Sequence, residues 1–265
     1  MTIHPRLFEK LEKMTLPSVD SNGSEHPAVI PVILYYCRPR EEVRQCILHR
    51  YGPIKYELPF INAIALDLPP EKVKLVAKER MVQWITEDVA VSKIGEGRAT
   101  DGVPLRASGR LATAERPQWT PAGRRPGHPV SVAVIDTGVA VHPDLIRPVN
   151  RIKAFYDLIG HQTEPYDDDG HGTHISGIIA GLASWPDTRP KAAAIAAERT
   201  WSPDIVAINA LDGEGNGTAS DILAAMQWTV NHRRHFNIRV VNLSLGVSTE
   251  HEDDSDPLVR GVEAL

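Results

Sequence analysis

An uninterrupted apolar run, Val132-Ala-Val-Ile, ends on Asp136 and is followed at once by Thr137 and Gly138. A run without polar alternation is typical of a strand that is buried on both faces of a parallel sheet. Because functional groups gather at the carboxyl ends of such strands, we expect Asp136 to lie at a ligand-binding edge. At this point the alternative remains open that Asp136 only closes the next turn through its own side chain.

A second polar segment, Asp169-Gly-His171-Gly-Thr-His174, follows about 35 residues later. Its small residues predict a helix over 171–182 that begins at His171. The positive end of a helix favours a neutral imidazole, which is the form that a general base requires. The alternative is a metal site of His171 and His174, for which only residues 167–169 offer further ligands nearby. Asp136 and His171 also occur in the order of an Asp, His, Ser triad.

A nucleophile for such a triad is not evident in these 265 residues, which contain no Gly-Thr-Ser-x-Ala motif. The sequence stops at Leu265, within the helical pattern that starts at Leu258. We therefore interpret the chain as a fragment and expect it to be inactive by itself. The loss of a triad nucleophile alone lowers turnover by about 10⁶-fold.

The part of the chain that precedes these motifs has the element order β-α-β-β-α-β. This order predicts a ferredoxin-like α+β domain over residues 28–95. Residues 1–27 are polar and irregular, which predicts a flexible N-terminal tail. The predicted elements are strands 29–36, 55–58, 61–68 and 81–86, a helix over 40–51 and a second helix that starts at Pro70.

A change in composition separates this domain from the Asp136 and His171 motifs. Residues 96–117 are rich in Gly, Arg and Thr and lack apolar periodicity, which predicts a linker. Over residues 118–265, alternating strands and helices predict an α/β domain with a parallel sheet, incomplete at its C-terminus. Its predicted elements are strands 132–136, 205–208 and 240–245, the helix over 171–182 and a helix that starts at Ser220.

Composition and charge exclude several classes of function. The net charge of -5, from 29 Lys and Arg against 34 Asp and Glu, gives no basis for a nucleic-acid or membrane-surface partner. No apolar stretch approaches 18 residues, so no membrane span is expected. The N-terminus lacks the apolar core of a secretory signal, so we expect a cytoplasmic protein, or an extracellular one if the start codon is misassigned.

Several of these motifs together resemble those of subtilisin-like serine peptidases, the subtilases (peptidase S8). The similar segments are Asp136-Thr-Gly, His142-Pro-Asp-Leu145, His171-Gly-Thr-His174 and Asn242-Leu-Ser-Leu-Gly246. The resemblance implies a serine endopeptidase that acts on polypeptides, with Asp136 as the orienting acid and His171 as the general base. It also implies that Ser244, Leu245 and Gly246 on one side and Gly215, Asn216 and Gly217 on the other bind the substrate backbone.

The N-terminal ferredoxin-like domain resembles the I9-type propeptide of that family. The resemblance implies an intramolecular inhibitor and folding chaperone, followed by the N-terminal half of a subtilisin-like parallel-sheet α/β domain. The tail of the propeptide, after Asp88, is then expected in the active-site cleft. An alternative function is a noncatalytic inhibitor or chaperone that binds another subtilase through residues 28–95.

The resemblance implies no required cofactor. Calcium stays open, because the loop that often carries it in relatives is not matched by residues 183–204, and Asp144 is at most one candidate ligand. Asn209 stands where relatives commonly have a basic residue.

Overall fold

The computed structural model describes residues 2–14, 18–19, 25–26, 29–94, 130–147, 149–181, 202–247 and 256–265. The predicted linker over 96–117 lies outside these residues, as does most of the unmatched segment 183–204. The chain divides into two compact units. Unit 1 comprises Met1–Ala90, Thr218–Val230 and Val247–Leu265, and unit 2 comprises Val91–Gly217 and Asn231–Gly246.

The helices and strands follow in chain order. They are α1 Pro5–Lys13, β1 Ser18–Val19, β2 Glu25–His26, β3 Ile30–Tyr36, α2 Arg40–Arg50, β4 Tyr56–Leu58, the 3-10 turn Pro59–Ile61, β5 Ala63–Leu68, α3 Pro70–Val76, β6 Val82–Glu87, β7 Ala90–Lys93, β8 Ser131–Asp136, α4 Pro143–Ile146, β9 Ile152–Asp157, α5 His171–Ala180, β10 Asp204–Asn209, β11 Asn216–Thr218, α6 Ala219–His232, β12 Ile238–Leu243, β13 Leu245–Val247 and α7 Pro257–Glu263.

Unit 1 is built on an antiparallel sheet with the strand order β4-β5-β3-β6. Its elements over residues 30–87 have the predicted β-α-β-β-α-β order. Val43 and Ile47 of α2 and Val73 and Val76 of α3 are fully buried in one apolar cluster with Leu34 of β3. The spacing of three or four residues in each helix places its apolar side chains on the face that covers this cluster.

The first residues of unit 1 form a helix, so the prediction of a flexible tail is wrong for residues 5–13. Leu7 and Leu11 of α1 are 0% and 3% exposed, and Ile3 is buried beside them. Side chains four residues apart lie on one face of a helix, and burying each leucine stabilises the fold by about 1.5–3 kcal/mol. Pro5 suits the first helical position, because an amide at that position has no acceptor within the helix and its absence costs no hydrogen bond.

Helix α6 contributes residues 219–230 to unit 1, and its N-terminus is capped by side chains of its own first turn. The Thr218 amide donates to Asp221 Oδ2 at 3.0 Å, and the Asp221 amide donates to Thr218 Oγ1 at 3.3 Å. This reciprocal pair satisfies two amides that a helix start otherwise leaves without partners. The Ser220 amide donates to Asp88 Oδ1 at 2.7 Å, and burial raises the pKa of that carboxyl.

Unit 2 contains the parallel sheet, with the strand order β12-β8-β10-β9. Every residue of β8 and β10 is buried, which confirms the prediction of a parallel sheet covered on both faces. The edge strand β9 was not predicted, because its middle residues are half-buried and give no continuous apolar run. Across the sheet, the last residues of β8, β10 and β9 are Asp136, Asn209 and Asp157, and they lie side by side.

A smaller sheet of unit 2 places β7 between two other strands, in the order β11-β7-β13. Residues 91–93 of β7, 216–217 of β11 and 245–246 of β13 belong to this unit. Throughout the portion of the chain that the structure describes, no helix has both the length and the apolarity to cross a membrane.

Candidate active site

Asp136 and His171 meet where strand β8 ends and helix α5 begins. The His171 Nδ1 lies 2.8 Å from Asp136 Oδ1, and the Asp136 side chain is almost fully buried. Asp136 Oδ1 also accepts a hydrogen bond from the Thr137 amide at 2.8 Å. When Nδ1 carries a proton, Asp136 Oδ1 accepts it, and this contact orients the ring.

Two glycines allow this close approach. A Cβ atom on Gly172 would lie 2.2 Å from the carbonyl oxygen of Gly138 and 3.2 Å from the Cβ of Asp136. Gly138 has a φ of 111°, and a Cβ there would lie 2.3 Å from the carbonyl oxygen of Tyr166. A larger residue at position 172 would push the start of α5 away from the end of β8, and one at position 138 would push the turn after β8 away from the Tyr166 backbone.

The first turn of α5 is held by side chains from other segments. The Gly170 amide donates to Asp167 Oδ1 at 2.8 Å, and the Thr173 amide donates to Asp167 Oδ2 at 2.8 Å. The His171 amide donates to Asp169 Oδ1 at 3.1 Å. The Gly172 amide donates to Thr137 Oγ1 at 3.0 Å, which ties the helix to the strand that carries Asp136.

The second ring nitrogen of His171 faces the backbone of residues 91–94. His171 Nε2 lies 3.1 Å from the carbonyl oxygen of Ile94. The Ile94 amide donates to the Ser244 carbonyl at 3.0 Å, and the Lys93 amide donates to the Gly215 carbonyl at 2.9 Å. The structure therefore brings an extended segment of the chain to His171, with backbone partners on both sides.

All six residues that the sequence suggested for backbone binding lie in or beside the two strands that flank β7. Gly215 and Ser244 supply the carbonyl groups that accept the amides of Lys93 and Ile94. The others lie in the adjoining strands: Asn216 and Gly217 in β11, Leu245 and Gly246 in β13.

Sequence reasoning did not identify Lys93, Ile94 and Asp169 as parts of this site. The Lys93 ammonium forms an ion pair with Asp169 Oδ2, and both side chains are largely buried. The β-branched residues Val89 and Val91, two positions apart, are the local sequence signal for a strand here. For Asp169 the sequence indicates only a possible metal ligand.

A buried polar network occupies the neighbouring strand ends. Asp157 accepts hydrogen bonds from the Tyr166 hydroxyl at 2.9 Å and from Asn209 Nδ2 at 3.1 Å, besides three backbone amides of its own loop. Burial acts to raise the pKa of Asp157, but these hydrogen bonds outweigh it and hold the pKa below its usual range. Burial, followed by the hydrogen bond to Asp157, raises the pKa of Tyr166 to about 12. Asn209 is thus a neutral donor within this network.

The metal interpretation finds no further support among the residues that the structure describes, where no group of three or more His, Cys, Asp or Glu is placed to hold an ion. His174 lines a surface cavity with His142 and Asp144, on the side of α5 that carries Gly177. The amide of Asp144 donates to His142 Nδ1 at 3.2 Å, as part of the short helix α4. Calcium at Asp144 remains an untested prediction.

Comparison with known proteins identifies the family of the chain. Residues 127–264 match the subtilase family, peptidase S8. The chain belongs to the subtilase family. Serine protease AprX of Bacillus subtilis is 36% identical over 143 residues, which cover 52% of this chain and 30% of AprX. Subtilisin E of Bacillus subtilis is 28% identical over 208 residues, which cover 78% of this chain and 48% of subtilisin E.

The fold of this subtilase chain is also similar to that of solved structures. Fervidolysin from Fervidobacterium pennivorans, described as a keratinolytic enzyme related to subtilisin, superposes with a TM-score of 0.55 and 18% identity over 94% of this chain and 39% of fervidolysin. The epidermin leader peptide processing serine protease of Staphylococcus aureus superposes with a TM-score of 0.55 and 13% identity over 89% of this chain and 56% of that protein. At these identities the likeness concerns the fold. The chain spans less than half the length of the two curated relatives above.

Proposed function

We propose that this subtilase is the zymogen of a serine endopeptidase in which Asp136 orients His171. The observation that carries the proposal is the 2.8 Å contact between His171 Nδ1 and Asp136 Oδ1, with Nε2 directed at a backbone carbonyl in an extended segment. In a Ser-His-Asp triad the second ring nitrogen takes the serine proton and later gives it to the leaving amine. His171 has the orientation that this exchange requires.

The proposed reaction is acyl transfer to a serine. The serine oxygen attacks the carbonyl carbon of the substrate, and its proton passes to His171 Nε2. The protonated ring then donates to the amine as the peptide bond breaks, and water hydrolyses the acyl-enzyme by the same route. Asp136 stabilises the imidazolium that exists between these transfers. We propose that a longer form of the protein supplies the serine nucleophile.

Substrates are proposed to bind as Val91–Ile94 does, as an extended strand between the backbones of Gly215 and Ser244. Main-chain hydrogen bonds of this kind are independent of side-chain identity, so they fit a protease with many polypeptide substrates. In the same proposal, residues 28–95 are a propeptide whose last residues occupy the substrate position and keep the zymogen inactive. Ile94 is then the residue whose carbonyl takes the place of the scissile one.

A fluorophosphonate probe, which labels activated serine nucleophiles, tests the proposal. The 265-residue chain should remain unlabelled, and a longer product of the same gene should be labelled and should cleave a chromogenic peptide. We expect His171→Ala in the longer product to lower turnover by about 10⁶-fold, because the base and the nucleophile act as a unit. His174→Ala is the matched control, since this residue lies on the same helix without contacting Asp136, and should retain activity.

Two results would contradict the proposal. One is labelling of the 265-residue chain at a serine of its own. The other is undiminished turnover in the His171→Ala variant.

A further inference from the structure

We propose that Asp169 forms an acidic subsite that selects substrates with a lysine or arginine immediately before the residue whose carbonyl faces His171. The inference rests on the proposed peptidase function and adds a side-chain preference to it. In the present structure Ile94 presents its carbonyl to His171, and Lys93 is the residue before it. The substrate class is thus a polypeptide with a basic side chain at this second position.

The first support is the ion pair between Lys93 Nζ and Asp169 Oδ2. The Lys93 and Asp169 side chains are only 14% and 10% exposed, so this is not a solvent-screened surface pair. Exposed pairs contribute little because water and salt weaken them. In a largely buried pair, removal of the lysine takes a cation away from a carboxylate that is poorly solvated, so such a site discriminates between a charged and an uncharged side chain.

The second support is that Asp169 is held in place by the helix that carries His171. Its Oδ1 accepts the His171 amide at 3.1 Å, while Oδ2 receives the lysine ammonium. One carboxylate therefore has two separate roles, one for each oxygen. Because Oδ1 is bound to the backbone of His171, the negative charge keeps a fixed position relative to the proposed reaction centre.

The third support is the space that Gly215 leaves for a long aliphatic side chain. A Cβ atom on Gly215 would lie 2.4–2.8 Å from Cδ, Cγ and Cε of Lys93. Gly215 also has a φ of 81°, a conformation that residues with a side chain rarely adopt. The aliphatic part of the lysine side chain thus lies against the Gly215 backbone, and its ammonium group reaches Asp169.

The competing explanation is that Lys93 and Asp169 form a latch that matters only to the docking of the chain's own residues 91–94. Both explanations require that a positive charge at position 93 holds this segment in place. The two explanations make different predictions for a separate peptide substrate. Only the subsite explanation predicts that such a peptide is preferred when it carries a basic residue at this position.

The first experiment measures amide hydrogen exchange at residues 93 and 94 in the 265-residue chain. Lys93→Arg should preserve protection, and Lys93→Met, which keeps the chain length and removes the charge, should lower it by at least tenfold. Asp169→Asn should lower protection in the parent chain but not further in the Lys93→Met variant, because the pair is already absent there. Lys74→Met, which removes an exposed pair with Glu12, is the matched control and should change nothing. Equal protection in the parent chain and the Lys93→Met variant would overturn the inference.

The second experiment compares succinyl-Val-Ser-Lys-Ile-p-nitroanilide with succinyl-Val-Ser-Met-Ile-p-nitroanilide as substrates of the longer, probe-labelled product. We expect kcat/KM to be at least tenfold higher for the lysine peptide, and Asp169→Asn to abolish the difference. Cleavage of both peptides at equal rates would overturn the subsite and leave only a latch. If neither peptide is cleaved and no serine is labelled, the peptidase proposal fails and the subsite inference, which rests on it, falls with it. The exchange data then show whether Lys93 and Asp169 hold the segment as a latch.

Discussion

The antiparallel sheet of unit 1 and the carboxyl edge of the parallel sheet in unit 2 are stabilised in different ways. In unit 1, apolar side chains such as Leu34 and Ile47 fill one buried cluster. At the carboxyl edge in unit 2, Asp136, Asn209 and Asp157 are each less than 5% exposed and carry polar groups into the interior. Shape and volume set the stability of the first region, whereas hydrogen-bond geometry and close backbone approach set that of the second.

The largest expected effect comes from the apolar region. Leu34→Ala in β3 should lower the local free energy of unfolding by about 2–5 kcal/mol, because it removes a fully buried side chain and leaves a cavity. Hydrogen exchange of the β3 amides measures this. Leu75→Ala, at a position that is 54% exposed, is the matched control and should have almost no effect. Similar losses in the two variants would mean that burial does not set the stability of unit 1.

A smaller loss of stability, but a specific loss of geometry, is expected for Gly172→Ala. The added methyl group would overlap the Gly138 carbonyl at 2.2 Å, and relief of such overlap costs about 1–3 kcal/mol. The start of α5 must then move away from β8, so the hydrogen bond between His171 and Asp136 should be lost. The NMR signal of the His171 Nδ1 proton reports on this contact.

Gly177→Ala provides the comparison for that variant within the same helix. Among the described residues outside its own helical turn, no heavy atom lies within 4 Å of a Cβ at Gly177, so alanine should be neutral or stabilise the helix by up to about 1 kcal/mol. The His171 signal should be unchanged. An intact His171 signal in the Gly172→Ala chain would show that Gly172 does not control the contact.

The third prediction concerns the pH dependence of the polar edge. The folded pKa of Asp157 lies below its ordinary value of 3.8, so the unfolded chain binds more protons between the two values. Stability from this group is therefore present above about pH 4 and is lost as the pH falls through the folded pKa. Asp157→Asn should lower the unfolding free energy at pH 7 by about 1–3 kcal/mol, because buried donors lose an acceptor. Asp157→Asn should also reduce the slope with which the unfolding free energy falls at acidic pH.

Urea unfolding between pH 2.5 and 7 measures that slope. Tyr166→Phe removes one of the donors to Asp157 and should give a slope between those of the parent chain and Asp157→Asn. Parallel curves for the parent and Asp157→Asn chains would show that this carboxylate does not account for the acid dependence.

The sequence was sufficient for the features that depend on a single pattern. The apolar run before Asp136 indicated a buried parallel strand, and the spacing of Val43 and Ile47 indicated one face of a helix. The family motifs identified Asp136 and His171, which the structure places in contact. In each case the signal lies within a few neighbouring residues.

Features that depend on contacts across the chain were missed. Helix α1 is different, because its apolar residues Leu7, Phe8 and Leu11 form a local helical pattern that the many charged residues between them obscure. Strand β9 is recognisable mainly through its pairing with β10. Lys93 and Asp169 are 76 positions apart in the sequence, so no local pattern reveals that they form an ion pair.

The hydrogen bonds of the first turn of α5 have a consequence for catalysis. The amides of Gly170 to Thr173 all donate to side-chain oxygens, so the turn beside His171 has no amide to offer a negatively charged tetrahedral intermediate. Stabilising that oxyanion requires donors aimed at the reacting carbonyl. In the proposed peptidase those donors therefore come from outside this turn, so proton transfer and stabilisation of the oxyanion depend on separate parts of the protein.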